Sequence, residues 1–556
     1  MSRRKLCSQN ITRPARLVLA ASTLFVLGAC TGEGDQTTQF GQTGFIAGFY
    51  GGVAVDEPNA ALVGRDVLTA GGTAADAATA IGFALSVSYP SAITLGGGGT
   101  CLVHDATLGV TEALDFISPA GSGPEGDRAT AVPGLSRGLV ALHARYGRLD
   151  WRRLVAPAEQ MARLGHRASR AFTTELAPAA GAIFRDRDLR GIFSGPGGQP
   201  LKEGERFQQV ELAGTLGRIR AQGGGAPYTG TLADRVVEGY REAGGSLTRD
   251  DLRDFVPQWK ATILIPFGDL EMHFPPPPAQ AGIVEAQVWD MLSTDDRYAD
   301  AREGERPHLL VEASKRALGD RRRWLDGDFF AAPDATQLTS REHVAQLFAG
   351  YSEIDASSVP SAPQGVGDDD LAEAPAGTGF VVVDREGMAV ACTLTNYYPF
   401  GTGRMAQGTG IIPAAAPTGR GRNTLSLGPA IAATRTNFAF RFAIATSGGA
   451  FAQATLSQIA GDILLRNQSP REAIARPRVL GVDRPHIAVV ETGGNAEAEA
   501  LRLSGHTVQQ TAWPGRAAVA SCPRGLPVGD DEVPVCAIQH DPRGFGLSTV
   551  APTGGE

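Results

Sequence analysis

Residues 378–395 constrain the fold more than any other stretch. Gly379-Phe380-Val381-Val382-Val383-Asp384 and Met388-Ala389-Val390-Ala391-Cys392-Thr393-Leu394-Thr395 are two apolar runs of strand length, separated by the turn Arg385-Glu386-Gly387. Runs of this kind bounded by a glycine turn read as paired strands. The first is a buried strand with a hydroxyl residue, Thr378, at its mouth. Downstream, residues 438–446 form another strand that runs into Ser447-Gly448-Gly449, and residues 453–465 continue as a helix. A strand, a glycine turn and a helix start aim backbone N–H groups at one point, a good place for an anion. Taken alone, the same pattern is also a plain strand-to-helix connection of small residues. A hydroxyl nucleophile and a set of converging N–H donors are the parts acyl transfer needs most.

The rest of the chain alternates helical and glycine-rich segments. Residues 60–87 are Ala-rich and helical, interrupted at Gly71-Gly72. Leu95-Gly96-Gly97-Gly98-Gly99 feeds a short strand over 100–103, and no Lys-Ser/Thr follows it, so it is not a phosphate loop. Close backbone packing against another segment or a substrate is the simpler reading. Residues 133–165 read as paired helices, with Leu154, Ala158, Met161 and Ala162 at helical spacing and Gly165 as a C-cap. A further helix runs from 232 to Gly244-Gly245, and Thr248 is the N-cap of the next. Residues 275–278 are an extended Pro segment, 308–325 are helical and basic, and 357–375 are polar, acidic and Gly/Pro-containing, which reads as a loop.

Net charge is −8, which argues against nucleic-acid binding through a basic surface. Arg3, Arg4, Lys5, Arg13 and Arg16 precede an apolar segment over 17–27 that is too short to span a bilayer comfortably. It ends in Leu27-Gly28-Ala29-Cys30, which resembles a bacterial lipobox and predicts lipidation of Cys30. The expected order is a signal peptide over 1–29, a tether over 30–43, then the folded chain. The membrane is met only through the lipid, on the periplasmic face of the cell envelope. Of six cysteines, Cys7 lies in the leader, and Cys101 and Cys392 lie in apolar runs and read as buried core residues. Cys522 and Cys536 flank a Pro/Gly/Asp-rich loop and are expected to pair in an oxidising compartment.

The order of motifs resembles the gamma-glutamyltransferase family of N-terminal nucleophile hydrolases. The pieces are Gly71-Gly72-Thr73-Ala74-Ala75-Asp76-Ala77-Ala78, Leu95-Gly96-Gly97-Gly98-Gly99, Leu114-Asp115-Phe116, Val132-Pro133-Gly134 and Tyr228-Thr229-Gly230. They continue with Glu312-Ala313 and Asp320-Arg321, Val382-Val383-Asp384, Phe400-Gly401-Thr402-Gly403 and Ser447-Gly448-Gly449. Each is weak alone; their order from about residue 51 to about residue 479 is specific. The resemblance implies an α/β fold, a four-layer αββα sandwich made as one precursor and cut into two pieces that stay together. Here these would be 44–376 and 377–556. In the family a Thr freed by self-cleavage attacks a γ-glutamyl carbonyl of glutathione or a similar small molecule. Its own α-amine serves as base, two glycine N–H groups hold the oxyanion, and no metal or organic cofactor is needed.

The same alignment exposes departures. The nucleophile position falls on Gly377, which has no hydroxyl, and Thr378 falls on the second Thr of the family pair. Successive strand side chains point to opposite faces, so Thr378 is expected to aim away from the site. Ile117 stands where the family has an Arg for the substrate carboxylate. Pro413-Ala414-Ala415-Ala416 stands where it has acids for the amine. Thr395, Ser426, Gly448 and Gly449 fit family positions: Thr395 beside the nucleophile, Ser426 on the substrate carboxylate, and the glycines on the oxyanion. Three readings follow: a gamma-glutamyltransferase or glutathione hydrolase, a divergent acylase or amidase using Thr378, and an uncut, inactive scaffold that binds a ligand or partner. Oligomeric state is left open.

Overall fold

The computed structural model describes residues 46–551 apart from 48, 125, 326–332, 358–375, 418–423, 484–485, 513–514 and 528–532. The leader, the lipobox with Cys30, the tether and nearly all of the 357–375 loop lie outside the described residues.

Two seven-stranded antiparallel sheets form the middle of the fold. The first runs in the order Leu547–Val550, Gly51–Val55, Thr378–Asp384, Ala389–Thr395, Gly98–Asp105, Val110–Phe116, Gln258–Ala261. The second runs Ile46–Ala47, Val535–His540, Arg516–Leu526, Phe440–Ser447, Ala430–Thr434, Leu270–Phe274, Ile263–Phe267. The two strands that open the region after residue 377 are thus inserted between strands from the region before it. The expected strand pair is present, with Thr378 opposite Leu394 and Phe380 opposite Cys392.

Alternation along these strands builds the layers. Val381, Val383, Ala389 and Ala391 pack against Ala443, Ala445, Ala518 and Ala520 of the second sheet. Phe380, Val382, Val390 and Cys392 face the other way, into a core shared with the helices Pro58–Thr69, Ala74–Ser88 and Trp151–Leu164. On the far side, Gln280–Ser293 and Ala452–Ala460 cover the second sheet through Trp289, Leu456 and Ile459. The result is helix, sheet, sheet, helix, the αββα sandwich. The Ala-rich stretch is two helices. Gly71, at φ +82°, follows the end of the first, and Thr73 with Asp76 forms a capping box that starts the second. Thr248 caps its helix in the same way with Asp251.

Glycine brings the layers together where the site lies. A Cβ on Gly379 would stand 2.9 Å from the Ala445 carbonyl carbon, so the two sheets come together backbone to backbone at that point. Gly97 would meet the Thr395 carbonyl at 2.5 Å, so the Leu95–Gly99 run is close backbone packing against another segment.

The cysteines correct one expectation and place another. Cys101 and Cys392 are buried, but they are not free core residues: they form a disulfide between directly opposed positions of adjacent strands, Cα to Cα 4.1 Å. Their separation of 291 residues hides the pairing from sequence reading. Cys522 and Cys536 are joined in a second disulfide.

Candidate active site

The start of the Thr378 strand carries two different surroundings. On one, Asp56 follows directly on the Gly51–Val55 strand and is almost fully buried. Its Oδ2 accepts hydrogen bonds from Thr378 Oγ1 at 3.2 Å, from the Gly379 N–H at 3.2 Å and from Ser447 Oγ at 3.0 Å. One carboxylate oxygen therefore gathers the candidate hydroxyl of the first sheet and the residue that opens the glycine turn of the second. By alternation Thr378 shares its face with Phe380 and Val382, away from the inter-sheet core. Its hydroxyl nonetheless turns to the carboxylate that Ser447 also reaches.

The glycine turn is shaped by contact. Gly448 has φ +127° and Gly449 φ +61°. A Cβ on Gly448 would stand 2.5 Å from Gly515 Cα, so only glycine fits there. Next to Gly515, Arg516 pairs across the sheet with Ser447 and donates to Tyr89 Oη at 2.8 Å and Glu175 Oε1 at 3.0 Å. Tyr89 and Ser91 also donate to Glu175, each at 2.6 Å. Burial works against the Arg516 charge; Tyr89, Glu175 and Asp56 outweigh it and raise its pKa.

On the other surroundings lie Gly377 and Thr395. Thr395 Oγ1 donates to the Ala376 carbonyl at 2.9 Å and accepts from the Tyr397 N–H at 2.8 Å. A Cβ on Gly377 would lie 3.8 Å from Thr395 Oγ1, so a side chain at 377 would project toward Thr395. Gly377 has φ +148°, a conformation L side chains rarely adopt, and that Cβ would press on the Leu394 carbonyl at 3.0 Å. The local backbone is therefore built on glycine.

Ile117, Ala414 and Ala415, which stand where the resemblance expects charged groups, pack into a single apolar cluster with Ala131, Ala279, Tyr397 and Leu427. Tyr397 is held at φ +61°, unusual for a bulky residue, and its hydroxyl donates to the Ser118 carbonyl at 2.9 Å. Ser426 lies in the turn closed by the Leu427 N–H on the Thr424 carbonyl, beside this cluster. No hydrogen bond among the described residues ties it to Thr378 or Thr395. The structure thus brings Thr378 and Ser447 together through Asp56, places Thr395 on the Ala376 carbonyl, and sets Ser426 next to Leu427 of the Tyr397 cluster.

Sequence reasoning missed Asp56, Glu175, Tyr89 and Arg516. Asp56 ends an apolar strand just as Asp384 does, and nothing in its neighbours marks it as a site residue.

Away from this site, His308, Glu312 and His506 are buried with ligand atoms within 4.8 Å of one another. Lys315 donates to Glu312 at 2.9 Å, and Arg316 and Ser357 hold its other oxygen. Burial alone would raise the Glu312 carboxyl; hydrogen bonds from Ser357, Arg316 and Lys315 outweigh it and hold it down to about 2. His308 Nε2 lies 2.8 Å from the Ser352 carbonyl and its Nδ1 lies 2.8 Å from His506 Nε2. Burial, then Lys315 and His308, push His506 down to about 4. A divalent ion would meet two cationic side chains and one carboxylate, so the cluster is built to hold residues 352–357 rather than a metal.

Comparison with known proteins agrees with this architecture. A family model described as gamma-glutamyltranspeptidase matches residues 60–415. The chain is 30% identical over 387 residues to the glutathione hydrolase proenzyme of Escherichia coli K12, and 30% identical over 385 residues to that of Pseudomonas aeruginosa. These alignments cover 65% of this chain and only 65% and 66% of the relatives' lengths. A cephalosporin acylase from Bacillus halodurans superposes with a TM-score of 0.75 at 22% identity, covering 92% of this chain and 97% of its own. At that identity the likeness speaks to the fold alone.

Proposed function

Because the chain belongs to the gamma-glutamyltranspeptidase family, we propose that it keeps the family scaffold without the family reaction. It is not cut before Gly377, it remains one polypeptide, and it neither hydrolyses nor transfers γ-glutamyl groups. The observation that carries this reading is Gly377 itself. Self-cleavage needs a side-chain nucleophile that attacks the preceding carbonyl. Thr395 stands on the Ala376 carbonyl, but residue 377 has no atom to attack it. The apolar cluster of Ile117, Tyr397, Ala414 and Ala415 supports the same conclusion. No side chain within that cluster carries the charges a zwitterionic glutamyl head group would pair with, and Asp115, which accepts from the Ile117 N–H, is already paired with Lys260. The role left is binding of a ligand or partner with no such head group.

The regions 44–376 and 377–556 then correspond to the two family pieces inside one interleaved domain. The chain is exported and lipid-anchored at Cys30, facing the periplasm. Two disulfides support export, since such bonds persist in oxidising compartments. A Cys30→Ser variant should lose its acyl mass and leave the membrane fraction; membrane retention by that variant, with no acyl mass on the parent, contradicts the anchor.

A second reading is favoured by Asp56. Its bond to Thr378 Oγ1 orients a hydroxyl beside the Ser447-Gly448-Gly449 turn, as a divergent acylase or amidase cut at Gly377–Thr378 would need. Hydrolysis of γ-glutamyl-p-nitroanilide and of an uncharged anilide such as phenylacetyl-p-nitroanilide separates the readings. The scaffold turns over neither, the acylase only the second. Turnover of the γ-glutamyl compound, abolished in Thr395→Val, overturns both.

A further inference from the structure

We propose that the Cys101–Cys392 bond is a covalent tie across the residue 377 junction, so that a chain broken between residues 358 and 377 stays one disulfide-joined molecule. Cys101 precedes the junction by far and Cys392 follows it closely. They face each other in register on the Gly98–Asp105 and Ala389–Thr395 strands. No other bond among the described residues does this. Cys522 and Cys536 are 14 residues apart and both lie after the junction.

The placement gives the tie a role at the site. The strand that carries Cys392 also carries Thr395, and it pairs directly with the Thr378 strand, Phe380 opposite Cys392. Its other edge pairs with the glycine-rich Gly98–Asp105 strand, Thr395 opposite Gly98. The bond therefore locks the register of the strand bearing Thr395 to a strand from the other region. Both cysteines are fully buried beneath the Ala74–Ser88 helix layer, in the core that holds Ala84, Val87 and Phe380. A thiol reductant reaches them only when that core opens, which makes the bond a permanent staple rather than a switch at the surface.

The tie holds whether or not the chain cuts itself, so it does not rest on the proposed function. It does change how cutting is detected: a cleaved molecule would run as one species unless reduced. The test inserts a recognition sequence for a sequence-specific protease between residues 366 and 367 of the full chain and cuts the folded protein. On a denaturing gel without reductant the cut protein should run as one joined species, and with reductant as two. A Cys522→Ser, Cys536→Ser variant should behave the same, and a Cys101→Ser, Cys392→Ser variant should fall apart without reductant. Two pieces from the cut parent in the absence of reductant overturn the proposal. Non-reducing peptide mapping of the uncut parent is independent of the insertion and of how any variant folds. A linked peptide pair holding Cys101 and Cys392 supports the tie; both recovered as free thiols refutes it.

Discussion

The two surroundings of the Thr378 strand differ in what they offer a guest. Around Asp56, three donors from both sheets converge on one carboxylate, with Arg516, Tyr89 and Glu175 in the next network. Around Tyr397, the groups are Ile117, Ala131, Ala414, Ala415 and Leu427, and the charge beside them, Asp115, is already paired with Lys260. The resemblance leads one to expect the reverse: charge to seat a glutamyl head group, and a free hydroxyl beside it. The difference teaches that Gly377 is not the only departure from what the resemblance expects: Ile117, Ala414 and Ala415 meet in one apolar cluster. On the polar side the Thr378 hydroxyl donates to a buried carboxylate.

The largest effect should come from putting charge back on the dry side. Ile117→Arg forces a long cation into the apolar cluster, beside an Asp115 already paired with Lys260, and should cost about 4–5 kcal/mol in urea unfolding. If the variant is as stable as the parent and gains stability from added glutamate, the head-group site is intact and the contrast fails.

Asp384, at the other end of the same strand, is a buried carboxylate for comparison. Burial pushes it up to about 7, although N–H groups of Ala74, Glu386 and Met388 oppose the shift. Its folded pKa lies above the unfolded value of about 3.9, so the native state takes up the proton first as pH falls. The favourable contribution is full below about pH 4 and is lost as pH rises toward 7, on the order of 4 kcal/mol across that window. Asp384→Asn should flatten the difference in urea midpoints between pH 4 and pH 7.5; an unchanged slope removes Asp384 as its source.

Asp56→Ala strands three buried donors and should cost about 3 kcal/mol, while Asp56→Asn, which keeps an acceptor, should cost about 1 kcal/mol. Equal losses would mean that the charge, rather than the hydrogen bonding, organises the polar side. The smallest effect is Tyr397→Phe, which removes only the bond to the Ser118 carbonyl and should cost about 1 kcal/mol by thermal unfolding. A loss near zero would mean that packing alone holds the ring.

Much of this could be read from residue order. The hairpin of 378–395, the Gly71-Gly72 break and the Thr248 cap are local patterns, set by alternation and capping chemistry, and they stand where the spacing places them. The family motifs carry the sandwich because their order is preserved. What escaped depends on distance across the fold. Asp56 and Thr378 are 322 residues apart, and Cys101 and Cys392 are 291 apart; no local pattern reports either contact. The apolar cluster around Ile117 was legible only in part. The apolar residues at 117 and 413–416 show in the sequence, but the meeting of Ile117, Ala414 and Ala415 in one cluster with Tyr397 is a property of the folded chain.

The central claim, that this family member stays uncut at residue 377, is tested most directly by the intact mass of the purified mature protein after full reduction. The account predicts a single polypeptide running through residues 376, 377 and 378 to the C-terminus. Two polypeptides, the smaller beginning at Gly377 or at Thr378, would contradict it.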